Sequence, residues 1–133
     1  MEADYEKIRN LEIQMRYLQD QLNFFQKSLV ELSVTENALN AIMNMKEDSD
    51  VFFPISSGVF AKGILLKSKE VLVDLGVGAY VEKPVEEALE LTRKKKAWVE
   101  KQAEQLGNLW TKVQQDYFAT LQKIKESESK TVE

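Results

Sequence analysis

The helix-breaking residues of this chain are confined to one stretch. Both prolines (Pro54, Pro84) and four of the five glycines (Gly58, Gly63, Gly76, Gly78) fall between residues 51 and 84; the flanks hold only Gly107. Proline and glycine punctuate regular structure, so their confinement divides the chain into long helix, short irregular or β segment, and long helix. The single domain of 1–133 accordingly reads as a helix over 5–46, a β segment over 51–83, a helix over 84–126 and a flexible polar tail over 127–133.

Periodicity supports both helices. Ile8, Leu11, Met15, Leu18, Leu22, Phe25, Leu29, Leu32, Glu36, Leu39 and Met43 alternate spacings of three and four, and only Glu36 is polar. A sustained 3.5-residue repeat is the mark of a coiled-coil seam. Val85, Leu89, Thr92, Lys96, Val99, Ala103, Leu106, Trp110, Val113, Tyr117, Thr120 and Ile124 repeat the pattern more loosely, with Thr92, Lys96 and Thr120 polar. A parallel row of Ala88, Leu91, Trp98, Leu109 and Leu121 widens that apolar face.

Asp4 is placed to cap the first helix, and the Asp48-Ser49-Asp50 cluster to end it. Pro84 suits a first helical turn, and Glu86, Glu87 and Glu90 set negative charge at the positive end of the second helix. The two helices are near-equal in length, each roughly 63–65 Å at about 1.5 Å per residue. Joined by a segment that reverses direction, they predict an elongated, antiparallel coiled-coil hairpin of α+β class whose termini meet at the open end.

The middle segment reads as two successive β-hairpins. Val51-Phe52-Phe53-Pro54-Ile55 leads through Ser56-Ser57-Gly58 into Val59-Phe60-Ala61; Val71-Leu72-Val73-Asp74-Leu75 leads through Gly76-Val77-Gly78 into Ala79-Tyr80-Val81-Glu82-Lys83. Val51, Phe53, Ile55, Val71, Val73 and Leu75 share one predicted face, and Phe52, Leu65 and Leu72 the other. Isolated hairpins are marginal in water, and a thin two-helix stalk cannot cover both faces. Oligomerisation is the expected solution: strands of several chains close into an intersubunit barrel or sandwich.

Composition narrows the functional classes. The chain is 44% hydrophobic and 30% charged, as expected of a folded, soluble protein, and its net charge of −4 offers no general attraction for nucleic acid or anionic membrane. Cys and His are absent, which removes the commonest zinc ligands and the usual neutral-pH general base. The acidic opening Met1-Glu2-Ala3-Asp4-Tyr5-Glu6 is unlike a signal peptide, and no stretch approaches the roughly 18 apolar residues of a membrane span. A cytoplasmic protein is expected.

Motifs with a chemical reading are weak. Gly76-x-Gly78 lacks the third glycine and following helix of a dinucleotide loop, so a turn is the better reading. Arg93-Lys94-Lys95-Lys96 is the only basic run; Glu86, Glu87, Glu90 and Glu100 balance it, and Glu90–Lys94 is spaced as an i,i+4 pair. Ser56-Ser57 has no standard base nearby, so no catalytic residues and no cofactor are expected. Ile13, Tyr17 and Phe24 lie off the first seam, and Phe118 stands beside Tyr117 and Leu121. They are either a broadened seam or an apolar tip that binds exposed hydrophobic segments of other proteins. Gly107 is a point where that tip can flex.

The order coiled coil, paired hairpins, coiled coil resembles the prefoldin family, alpha class. The most specific match runs from Val71 to Lys83: hydrophobic residues around Asp74, then Gly76-x-Gly78-x-Tyr80-Val81-Glu82-Lys83. Phe53-Pro54-Ile55-Ser56-Ser57 is similar to the family's first strand, whereas Phe60-Ala61-Lys62-Gly63 keeps only the glycine of a common Tyr-Val-Pro-Gly stretch.

The resemblance implies a hexamer of two alpha-class and four beta-class subunits, with hairpins forming a double-barrel platform and coiled coils hanging from it. It also implies an ATP-independent holdase that grips nonnative proteins and passes them to a group II chaperonin. Carried onto this sequence, the oligomerisation surface is Val51, Phe53, Ile55, Val59, Phe60, Val71, Val73, Leu75, Tyr80 and Val81. The client-binding tip is Ile8, Leu11, Ile13, Met15, Tyr17, Leu18, Tyr117, Phe118, Leu121 and Ile124. The competing expectation is a structural or adaptor coiled-coil subunit with one fixed native partner.

Overall fold

The computed structural model describes residues 2–132, with side chains through Lys130. Its elements run α1 (Glu2–Asn44), β1 (Asp50–Ser56), β2 (Val59–Ile64), β3 (Glu70–Asp74), β4 (Tyr80–Pro84) and α2 (Val85–Val132). The chain forms two compact units: an all-helical one of residues 1–30 and 97–133, and a hairpin-bearing one of residues 31–96.

In the all-helical unit the 3.5-residue seams meet as antiparallel partners. Leu11, Leu18 and Val113 are buried together, with Met15, Leu106, Trp110 and Tyr117 packed around them. Ile8, Val99 and Ile124 are buried as well. Thr120, polar and buried, donates its hydroxyl to the Asp116 carbonyl one turn back at 2.8 Å, so it occupies a seam position without an unpaired group. The Tyr5 hydroxyl donates to the Glu128 carboxylate near the two chain ends.

That contact bears on the tail. The predicted flexible segment over 127–133 is helical through Val132, and Glu133 lies outside the described residues. No Gly or Pro follows Gly107, so nothing stops α2 at residue 126, and Tyr5 ties Glu128 to the first helix. The front end shifts too. Helix α1 begins at Glu2, so Asp4 sits inside the first turn, its charge favourable to the helix dipole, and is no cap.

In the hairpin-bearing unit, Leu39, Val85, Ala88 and Leu89 form the core, joined by Ile42, Met43, Val71 and Val73. The seam's polar residues find one another here. Glu36 lies 3.8 Å from Lys96 and 3.9 Å from Arg93, whose guanidinium also reaches Asn40 at 3.5 Å. Thr92 bonds the Ala88 carbonyl at 2.9 Å. The lone polar member of the first seam and the lone charged member of the second therefore make one ionic layer, a device that favours one register over its neighbours.

The hairpins form two separate two-stranded antiparallel sheets. Between β1 and β2, Ser57 (φ 45°) and Gly58 (φ 83°) form a two-residue turn of the type that needs both central residues at positive φ. Pro54 pairs with Phe60 and Ser56 with Val59, so Ile55 is the extra residue of a bulge. Gly63 lies inside β2 opposite Val51, where a Cβ would come within 3.0 Å of the Phe53 ring. Between β3 and β4 the register runs from Glu70↔Pro84 to Asp74↔Tyr80. Pro84 is thus the last residue of a strand, and α2 opens one residue later.

One residue joins these parts. Helix α1 ends at Asn44, two residues earlier than expected, with no basic residue in its last turn. The Lys69 ammonium, from the loop before β3, donates to the carbonyls of Met43 at 2.9 Å and Met45 at 2.6 Å. It supplies positive charge where the helix dipole is negative. The Lys69 carbonyl accepts from Val85 N–H, the first residue of α2, at 3.0 Å.

Candidate functional site

Two sets of apolar side chains remain at the surface. The first covers the hairpins. Phe52, Phe53, Ile55, Val59, Phe60 and Ile64 of the first hairpin are exposed, as are Leu72, Leu75, Val77, Tyr80 and Val81 of the second. Strand alternation explains β3: Val71 and Val73 point at the helices while Leu72 between them is 66% exposed. Of the expected oligomerisation surface, Val71 and Val73 are thus partly buried, packed against the chain's own core. Val51 is half-buried, and the other expected members, Phe53, Ile55, Val59, Phe60, Leu75, Tyr80 and Val81, are exposed. Bare apolar strands with unpaired edges are the surfaces proteins ordinarily cover with another chain.

The second set lies on the all-helical unit. Of the expected tip residues, Ile8, Leu11, Leu18 and Ile124 are buried in the seam; Met15, Tyr117 and Leu121 are half-buried. Those seven were expected at the binding surface, but four of them are consumed by pairing between α1 and α2. Ile13 and Tyr17, each 64% exposed, and Phe118, 55% exposed, carry the surface that remains. Phe118 packs edge-to-face on Tyr117 at 5.6 Å between centroids. Beside Ile13 and Tyr17 opens an almost wholly apolar groove of about 400 Å³, lined also by Gln14, Leu18, Leu109 and Val113. Trp98 and Leu109, read as widening the seam, are exposed instead. Their eleven-residue separation, which keeps both on one face of α2, is the signal the sequence carried for this.

The remaining motifs are structural. The Gly76 N–H is held by the Asp74 carboxylate at 2.8 Å, and Leu75 N–H bonds Ala79 O at 2.9 Å. A carboxylate sits where a phosphate loop would place its ligand, so this turn repels phosphate. Lys94 pairs with Glu90 at 3.2 Å. Among the described residues, no group of three or more His, Cys, Asp or Glu could hold a metal ion, and no helix is long and apolar enough to cross a membrane.

Comparison with known proteins agrees with this geometry. The family described as prefoldin subunit matches residues 11–130. The prefoldin subunit alpha of Methanocorpusculum labreanum is 28% identical over 118 residues, covering 89% of this chain and 80% of that protein. That of Archaeoglobus fulgidus is 31% identical over 115 residues, 81% of each. Human prefoldin subunit 5 is 28% identical over 103 residues, 72% of this chain and 67% of its own length. Among solved structures, filamentous PFD from Methanocaldococcus jannaschii matches with a TM-score of 0.57 at 19% identity, covering 95% of this chain and 98% of that one.

The fold together with the family match supports a chaperone-type subunit that oligomerises with related subunits. The chain belongs to the prefoldin family. That family comprises chaperones rather than enzymes, and the barrel expected from the strands is not closed within one subunit.

Proposed function

We propose that this chain is the alpha-class subunit of a cytoplasmic hetero-hexamer, two alpha with four beta-class chains. The assembly holds nonnative proteins without ATP and passes them to a group II chaperonin. The observation that supports this reading is the division of bare apolar surface between strands and helices. The hairpins offer Phe53, Val59, Phe60 and Tyr80 to neighbouring subunits; the helical unit offers Ile13, Tyr17 and Phe118 to clients. Each helical patch is small, so affinity for a client comes from several subunits gripping at once, where effective concentration replaces one deep pocket.

The test begins with the native mass of the chain alone and with beta-class subunits. A mass matching two alpha and four beta chains is expected. The assembled complex should suppress aggregation of a chemically denatured client, and Phe118→Ser with Leu121→Ser in both alpha chains should weaken protection several-fold without dissociating the assembly. Unchanged protection would remove Phe118 and Leu121 from the client surface. Capture of one folded partner, with no protection of denatured protein, would instead make the chain an adaptor subunit.

A further inference from the structure

The apolar groove on the all-helical unit is part of a longer stripe with a distinct electrostatic rim. Ile13, Tyr17 and Phe24 recur at i, i+4 and i+11, and Trp98 and Leu109 are eleven residues apart, so each set keeps to one face of its helix. The groove joins Ile13 and Tyr17 to Leu109. The Phe25 ring joins Phe24 at 5.6 Å to Trp98 at 6.2 Å, a second apolar bridge between the two helices. All five stripe residues are exposed. Eleven residues at about 1.5 Å each span roughly 16 Å, the length of a three-turn helix.

The neighbours three or four residues from each stripe residue, within this unit, include Arg9, Arg16, Lys27, Lys101 and Lys112 but only one acidic residue, Asp20. This is the reverse of the chain's net charge of −4. None of the five cations is in an ion pair among the described residues. Asp20 offsets only part of the positive charge of this rim.

We infer that the stripe receives an acidic amphipathic helical segment, whose apolar face fills the groove and whose carboxylates meet the basic rim. This rests on the client-holding reading above and narrows it to a class of segment. Apolar contact alone would select no sign of charge, but a predominantly positive rim, five cations against Asp20, makes segments with flanking Glu or Asp preferred over Lys-flanked ones.

Two dye-labelled three-turn peptides test it, identical on their apolar face and flanked by Glu in one and Lys in the other. Binding to the assembled complex is read by fluorescence anisotropy. The Glu peptide should bind at least tenfold tighter at about 0.05 M salt, with the ratio approaching one near 1 M, where the screening length is only about 3 Å. Arg16→Glu with Lys112→Glu should invert the preference. Leu109→Ser and, on the other helix, Tyr17→Ser should weaken both peptides; native mass and helical circular dichroism identify any variant that has lost its fold, and the second variant then decides.

Equal binding of the two peptides overturns the inference, as does a preference untouched by the charge reversal. Self-association of the complex that Leu109→Ser or Tyr17→Ser abolishes would make a second copy the occupant and also overturn it. A complex that protects denatured clients but does not discriminate the peptides sinks this inference and leaves the holdase reading standing. Discrimination without client protection does the opposite.

Discussion

Two leucines separate the two kinds of surface in the hairpin-bearing unit. Leu89 on α2 is 2% exposed, packed with Leu39, Val85 and Ala88; Leu72 on β3 is 66% exposed between two valines that face inward. Helical side chains here find partners within the same chain, because antiparallel helices with matching 3.5-residue seams bury each other's stripe. Most strand side chains do not: the helices cover only the face of β3 that carries Val71 and Val73, and the apolar residues of the first hairpin stay largely exposed. The same apolar residue type therefore stabilises the subunit in one place and is left for a neighbour in the other.

The largest expected effect tests this division directly. Leu89→Ala deletes buried methyl groups from a packed core and should lower unfolding stability by about 2–5 kcal/mol, measured by urea denaturation of the assembled protein. Leu72→Ala should leave helical circular dichroism unchanged while raising the concentration at which the assembly dissociates by tenfold or more. A Leu72→Ala chain that assembles as before would show that this face of β3 is not an intersubunit surface.

Lys69 links the two regions and ranks next. Lys69→Met keeps much of the aliphatic stem but removes an ammonium bonded to two carbonyls at the end of α1. The expected loss is about 1–2 kcal/mol, since the charge-assisted bonds are made at a half-exposed site. Lys69→Arg, which retains a donor, should recover part of it. No loss in Lys69→Met would mean that water caps this helix equally well.

Much of this division was legible in the residues. Alternating threes and fours placed both helices, and Ser57-Gly58 and Gly76-Val77-Gly78 placed both turns, because these signals are local. What the residues do not disclose is non-local. Alternation identifies two faces of β3 but not that the one with Val71 and Val73 packs against the helices. A 3.5-residue repeat does not say how completely its members are buried, and Ile8, Leu11, Leu18 and Ile124 are buried in the seam. Lys69 caps carbonyls 24 and 26 residues away, beyond any spacing rule. Pro84 fits both a first helical turn and a strand end, and only the pairing with Glu70 decides for the strand.

Gly107 offers a smaller effect of opposite sign. It lies within unbroken α2, and a Cβ there meets nothing within 4 Å. Gly107→Ala should therefore stabilise the all-helical unit by about 0.5–1 kcal/mol through helix propensity and reduced unfolded-state freedom. The same variant addresses flexing at this position. Raised melting temperature with weaker client protection would mean that mobility at Gly107 serves binding; raised melting temperature with unchanged protection would mean that it does not.

The smallest effect concerns the chain ends, where the helices keep company through a polar contact. The hydrogen bond to Glu128 holds the Tyr5 hydroxyl above its ordinary value of 10.0, with slight desolvation and the Glu128 charge acting in the same direction. A raised value means that the folded chain binds this proton more tightly than the unfolded chain. The contribution is complete below about pH 10, the unfolded value, and is lost as pH rises through the folded one. Lysines titrate over the same range, so the informative quantity is the difference between the parent and Tyr5→Phe. Melting temperatures should differ slightly at pH 8 to 9, and the gap should close as the solution becomes more alkaline than about pH 10. A gap that is constant with pH would assign Tyr5 a packing role only, and the last turn of α2 would then owe its order to helix propensity and not to the first helix.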